Sequence, residues 1–164
     1  MEETAEGRLP EDILAEAYYA HAEKAGNRFV RDWFAFDRDV NNVLTALTAR
    51  QHGFQPATRL IGGDEVAQAL ATSGSRDFGL GTELDWLDTL ARIHDTTDPV
   101  ERERKLDLMK WDWLEEHTFF HYFSVERLLA LLIKLDIVER WAAIDATRGR
   151  HVFRELVERL RNEA

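Results

Sequence analysis

Between residues 29 and 47 the apolar positions Phe29, Val30, Trp33, Phe34, Val40, Val43, Leu44 and Leu47 recur mostly at steps of three and four, with Ala35 and Phe36 alongside. Such steps return a side chain to the same side of a 3.6-residue helix, whereas a strand needs a repeat of two. The spacing predicts a long amphipathic helix over about 27–52. The same period recurs along the rest of the chain, and no alternating segment of strand length interrupts it. The expected fold is therefore all-α, with about seven helices in one multi-helix domain over 10–162, preceded by a frayed polar stretch over 1–9.

Punctuation residues set the expected boundaries. Pro10 suits a first helical position, and Glu11 and Asp12 sit favourably at the positive end of the helix dipole. Behind them Ile13, Leu14, Ala17, Tyr18 and His21 fall on one face, with Gly26 as the expected stop. Gly53 and Pro56 end the long helix. Asp64 is positioned to cap a short helix over 64–71. Residues 72–82, TSGSRDFGLGT, form the one long Gly/Ser-rich stretch, and Phe78 and Leu80 give that loop something to bury. Thr82, with Asp85 three residues on, predicts the start of a helix bearing Leu84, Leu87, Leu90 and Ile93. Asp98-Pro99 followed by Glu101 starts another, charged at first and then aromatic through Phe119, Phe120, Tyr122 and Phe123. Ser124 caps the next, whose leucines cover most of its circumference, and a helix apolar nearly all round is expected at the centre of the core. A last helix carries Val152, Phe153, Leu156, Val157 and Leu160.

Charge and composition narrow the classes of partner. The 164 residues hold 31 acidic and 21 basic side chains, a formal charge of −10. A nucleic-acid binder needs a basic footprint to displace counterions from phosphates, and this balance runs the other way, so no nucleic-acid partner is expected. There is no cysteine, hence no disulfide framework and no thiolate chemistry, which fits a reducing, cytoplasmic compartment. The longest apolar run, Leu128–Ile133, is far below the ~20 residues that span a bilayer, so direct membrane insertion is not expected.

Several short constellations carry both a chemical and a structural reading. His117 and His121 are four apart, a spacing that puts two ligands on one helix face, with Glu116 adjacent. In zinc hydrolases the Glu follows the first His, whereas Thr118 does so here; two ligands also make no complete shell, so partly buried histidines are the simpler reading. Arg76-Asp77-Phe78-Gly79 contains the metal-binding triplet of protein kinases without any other kinase motif, and reads as a hydrogen-bonded loop turned by Gly74, Gly79 and Gly81, with a contact surface as a compatible role. Gly62-Gly63-Asp64 resembles an anion-binding turn, but its aspartate would repel phosphate and no lysine follows. Acid pairs such as Glu115/Glu116 and Asp37/Asp39 are expected by chance in so acidic a chain. Asn41 and Asn42 are consecutive in mid-helix, where asparagine costs a few tenths of a kcal/mol, and this predicts a polar contact there. Asn41, Asn42, Arg76, Asp77 and Phe78 are the nominated interface residues; no catalytic, cofactor or metal residue is nominated.

The stretches NRFVRDWFAFDRDVNNVLTALTARQHG (27–53), IGGDEVAQALATSGSRDFGL (61–80) and KLDLMKWDWLEEHTFFHYFSVERLLALLIKLDIVERW (105–141) resemble a bacterial family of unassigned function, domain of unknown function 2764. That family is encoded with the subunits of a V/A-type ATPase and is regarded as similar to the C subunit of V-type ATPases. The resemblance implies an all-α fold like that of the V-type ATPase C subunit, and a non-catalytic connector or assembly factor. Its partners would be the central rotor stalk and, as a second contact, the membrane ring. No cofactor and no active site are implied, and the expected location is cytoplasmic, peripheral to the inner membrane through the ATPase. Family members carry an additional N-terminal region that this chain is expected to lack through trimming. Two other classes compete with this reading: a helical metal protein or enzyme using His117 and His121, and a generic helical interaction module with an unrelated partner.

Overall fold

A computed structural model describes residues 10–144 and builds them from six α-helices, with no strand among the described residues. They are α1 (Pro10–Ala22), α2 (Arg28–His52), α3 (Glu65–Thr72), α4 (Leu87–His94), α5 (Pro99–Thr118) and α6 (Val125–Ala143). The seventh expected helix, over Val152 to Leu160, and the expected frayed stretch 1–9 lie outside the described residues. The chain divides into two compact units, Met1–His117 and Thr118–Ala164.

In the first unit α2 is the spine, and α1, α3 and α4 pack against it. Its buried positions Phe29, Trp33, Phe36, Val40 and Val43 step by four and three, the stripe read from the sequence. Asn27 caps it by accepting the Val30 N–H at 3.2 Å. Gly53 ends it in the left-handed region, φ 74°, where a Cβ would be strained. Val40 and Val43 of α2, Leu90 of α4 and Leu114 of α5 are completely buried, and α2 packs directly against α4. α5 reaches α2 through a long side chain, Trp113, whose ring lies 4.9 Å from Phe36 and 5.5 Å from Trp33. Asp64 caps α3 by accepting the Ala67 N–H at 2.9 Å, and Asp98 accepts the Val100 N–H at 3.0 Å at the start of α5.

Five expectations need correction. The α1 face that goes inside is not the Ile13, Leu14, Tyr18 face, which is largely exposed; Tyr19 and Ala22 are buried instead. Polar contacts accompany this placement: the Tyr19 hydroxyl donates to Asp37 at 2.6 Å and Asp12 pairs with Arg59 at 3.2 Å. α1 also stops at Ala22, four residues before Gly26, because the Arg31 guanidinium takes the carbonyls of Ala25 and Gly26, at 2.6 and 3.2 Å. α4 begins at Leu87 without a side-chain cap, not at Thr82. Burial of Phe78 and Leu80 winds the preceding residues into turns, with the N–H groups of Glu83 and Leu84 both donating to the Leu80 carbonyl.

In the second unit Ser124 caps α6 as expected, accepting the Arg127 N–H at 3.3 Å. The fourth correction concerns this helix: α6 is not enclosed, and only Ala130 and Lys134 are buried on it. α5 ends at Thr118 rather than running through Phe123, and residues 119–123 form turns in which Phe123 takes φ 52°.

Candidate interaction surface

The nominated residues of the first unit fall in two places. Asn42 is 1% exposed, and its amide works as a two-way staple: the side-chain N–H donates to the Ile61 carbonyl at 2.8 Å, and its oxygen accepts the Ile61 N–H at 2.9 Å. Asn41 donates to the Tyr19 hydroxyl at 2.9 Å. The polar contact foreseen at these positions is therefore made within the chain, tying α2 to the 61–64 turn and to α1. Phe78 is buried in the loop after α3 with φ 56°, while Arg76 and Asp77 are exposed. The Asp77 carboxylate accepts the Gly79 N–H at 3.0 Å, and this backbone hydrogen bond is the leading cause that holds its carboxyl below the usual range. Arg50, at the end of α2, fastens the loop by donating to the Ser73 and Arg76 carbonyls, 3.2 and 3.1 Å, with its guanidinium 3.9 Å over the Phe78 ring.

Two ionic clusters lie beside this frame. Lys110 of α5 pairs with Asp37 at 2.5 Å, and Asp37 also receives the Tyr19 hydroxyl. Burial, then the hydrogen bond to Asp37, pushes the Tyr19 hydroxyl pKa upward. Tyr18 is also raised, by burial and the Asp37 charge. Arg38, 7% exposed, is surrounded by Glu23, Asp39 and Asp64, so one buried cation joins the turn after α1, α2 and the cap of α3. Burial raises the Asp39 carboxyl to about 6, against the opposing pull of the Arg38 charge. Such a cluster is strongly destabilised when one partner is removed, because the remaining charges stay buried without compensation.

The histidines expected on one helix face do not share one, since α5 ends at Thr118 and His121 lies in the turn beyond it. His117 stacks on Trp113, centroids 3.7 Å apart, and its Nδ1–H donates to the Trp113 carbonyl at 2.9 Å. His121 Nδ1 stands 3.8 Å from Glu126. Among the described residues no group of three or more His, Asp or Glu is placed to hold a metal ion.

The second unit presents a different kind of surface. Phe119, Phe120, Tyr122 and Phe123 are all exposed, and Phe120 is 83% so. On α6 the exposed apolar residues Val125, Leu128, Leu131, Leu132, Leu135 and Val138 recur at steps of three and four or their sums, so they lie along one side of the helix. Full burial of each such side chain is worth roughly 1.5–3 kcal/mol, and contiguous apolar surface of this kind marks protein contact sites. No helix among the described residues is long and apolar enough to cross a membrane.

The family described as "Protein of unknown function (DUF2764)" matches the chain over residues 1–164. The chain belongs to this family. Among curated proteins nothing matches it, and among solved structures nothing does. Sequence reading of this DUF2764 chain overlooked Arg38, Arg50 and Lys110, the cations that organise its polar contacts. Arg38 stands between Phe36 and Val40 in sequence but on the opposite side of α2 from their stripe, flanked by Asp37 and Asp39, so local pattern gave it no mark. Arg50 and Lys110 likewise sit among other charges.

Proposed function

We infer that this DUF2764 protein is a non-catalytic helical connector or assembly factor that works docked on another protein. The observation that carries this reading is the exposed apolar side of α6 with the neighbouring aromatic residues 119–123. Leaving this many large apolar groups in water has no structural benefit to the chain, and a partner surface is what would cover them. The partner we assign is the central stalk of a V/A-type ATPase, with a placement between stalk and membrane ring like that of the C subunit. The resemblance of the 27–53, 61–80 and 105–141 stretches supports that assignment, and an all-helical body is compatible with it.

The test is recovery of partners from gently solubilised membranes of the source organism, using tagged full-length protein and a Leu128→Glu/Leu132→Glu variant in parallel. Stoichiometric recovery of stalk proteins with the wild type, lost with the variant, is the expected result. Recovery of no ATPase component, with the ATPase present in the lysate, overturns the partner. Equal recovery by both proteins overturns the α6 surface, and an Arg76→Ala/Asp77→Ala variant then asks whether the exposed loop residues make the contact.

A further inference from the structure

A second feature of the first unit has no part in that reading. Between the start of α4 and the last turns of α5 lies an open cleft of about 500 Å³, within the roughly 300–1,000 Å³ of small-ligand sites. Its floor is aromatic. Phe36 and Trp113 stack at 4.9 Å with planes 11° apart, and His117 continues the stack at 3.7 Å and 12°. Trp86 meets Phe36 edge-on at 5.5 Å. The hydrogen bond from Nδ1 of His117 to the Trp113 carbonyl fixes the imidazole parallel to the indole, and His117 is exposed, so the stack ends at solvent.

Three carboxylates rim this floor: Asp85 before α4, and Asp112 and Glu116, four apart on α5. All three are exposed, and none makes an ion pair or hydrogen bond among the described residues. No lysine or arginine lines the cleft. The acids do not converge closely enough to share a metal ion. A point charge is therefore poorly matched to them, whereas a broad planar cation reaches separated carboxylates at once.

From this combination we propose that the α4–α5 cleft binds the guanidinium of an arginine side chain presented by a partner polypeptide. Guanidinium is the side-chain cation that stacks face-on upon an aromatic ring while its five N–H donors point outward in its own plane. Laid on the exposed end of the Phe36–Trp113–His117 stack, it directs those donors toward the rim, where Asp112 and Glu116 accept charge-assisted hydrogen bonds. The ammonium of lysine, compact and more strongly hydrated, gains little from the stack. A neutral urea of the same shape stacks but draws nothing from the carboxylates.

The probes are the N-acetyl amides of arginine, lysine and citrulline, titrated into the full chain while indole N–H and His117 ring signals are followed by NMR. The Trp86 and Trp113 indole signals are assigned through Trp→Phe variants. Saturable shifts at Trp86, Trp113 and His117 with the arginine probe are expected, about fivefold or more weaker with lysine and with citrulline. The Asp112→Asn/Glu116→Gln variant, whose replaced groups make no internal contact, is expected to keep the wild-type melting temperature and to weaken the arginine response about tenfold. Three results overturn the proposal: no saturable shift with arginine, an equal response to citrulline, or an unchanged response in the double variant.

Discussion

Replacing Asn42 with alanine separates a structural staple from a surface contact. In the folded chain its amide satisfies both the N–H and the C=O of Ile61, at 2.9 and 2.8 Å, from a position 1% exposed. Alanine leaves two backbone groups without partners in a site where the departing side chain opens only a small space. An unsatisfied buried donor or acceptor costs about 1–3 kcal/mol each. Ile61 is only half-buried, so water relieves part of that cost, and the lost packing adds a little back. The expected total is about 2–4 kcal/mol, a large share of the roughly 5–15 kcal/mol that holds a domain folded. Urea unfolding should show the midpoint falling with the m-value unchanged. Hydrogen exchange gives the local reading, because the Ile61 amide loses its acceptor and should exchange faster than the global loss of stability explains. Asn42→Asp keeps an acceptor for that N–H but sets a carboxylate oxygen against the Ile61 carbonyl, and should be worse than alanine. A loss below about 1 kcal/mol, or an Ile61 amide still protected as in the wild type, would refute the staple.

Two further outcomes follow from groups beside it. Asp39 holds its proton up to about pH 6 in the folded chain, against an ordinary 3.8, so its contribution to stability is present below about pH 4 and is lost as pH rises through 6. Relative to Asp39→Asn, the wild type should therefore lose on the order of 2 kcal/mol between pH 4 and 7, read by paired urea titrations; a pH-independent difference would refute the assignment. Gly79 sits at φ 77° with open space where a Cβ would go, so Gly79→Ala should cost about 1 kcal/mol through backbone strain alone, and a thermal melt that does not move would show the loop relaxing instead.

Helix type and helix ends were legible because each rests on local chemistry. The three-and-four stripe of α2, the Gly53 stop and the caps at Asp64, Asp98 and Ser124 need only neighbouring residues to act. Boundaries failed where a distant group intervened. Arg31 reaching back to Ala25 and Gly26 ends α1 early, and burial of Phe78 and Leu80 delays α4. On α1 the apolar set Ile13, Leu14 and Tyr18 stays exposed, while the contact α1 does make, from Tyr19 to Asp37 eighteen residues away, has no local signal. Asn42 lies between these cases. Its local cost in a helix announced a polar contact, but nothing in its neighbours named Ile61 as the partner or placed the contact inside the chain.

The misreading of α6 has a deeper cause. A helix that is apolar over most of its circumference must be buried, but periodicity does not say by whom. In the first unit Val40, Val43, Leu90 and Leu114 have no exposed surface, whereas in the second Leu128, Leu131, Leu132 and Leu135 are 45–62% exposed. Surplus apolar surface on an acidic chain is selected against by aggregation unless something covers it. The same leucines that suggested an inner helix therefore argue for a partner once their exposure is known. The cleft at Trp113 differs in kind: its exposed carboxylates are solvated and need no cation, and it is their placement around a stacked aromatic floor that points to a ligand there.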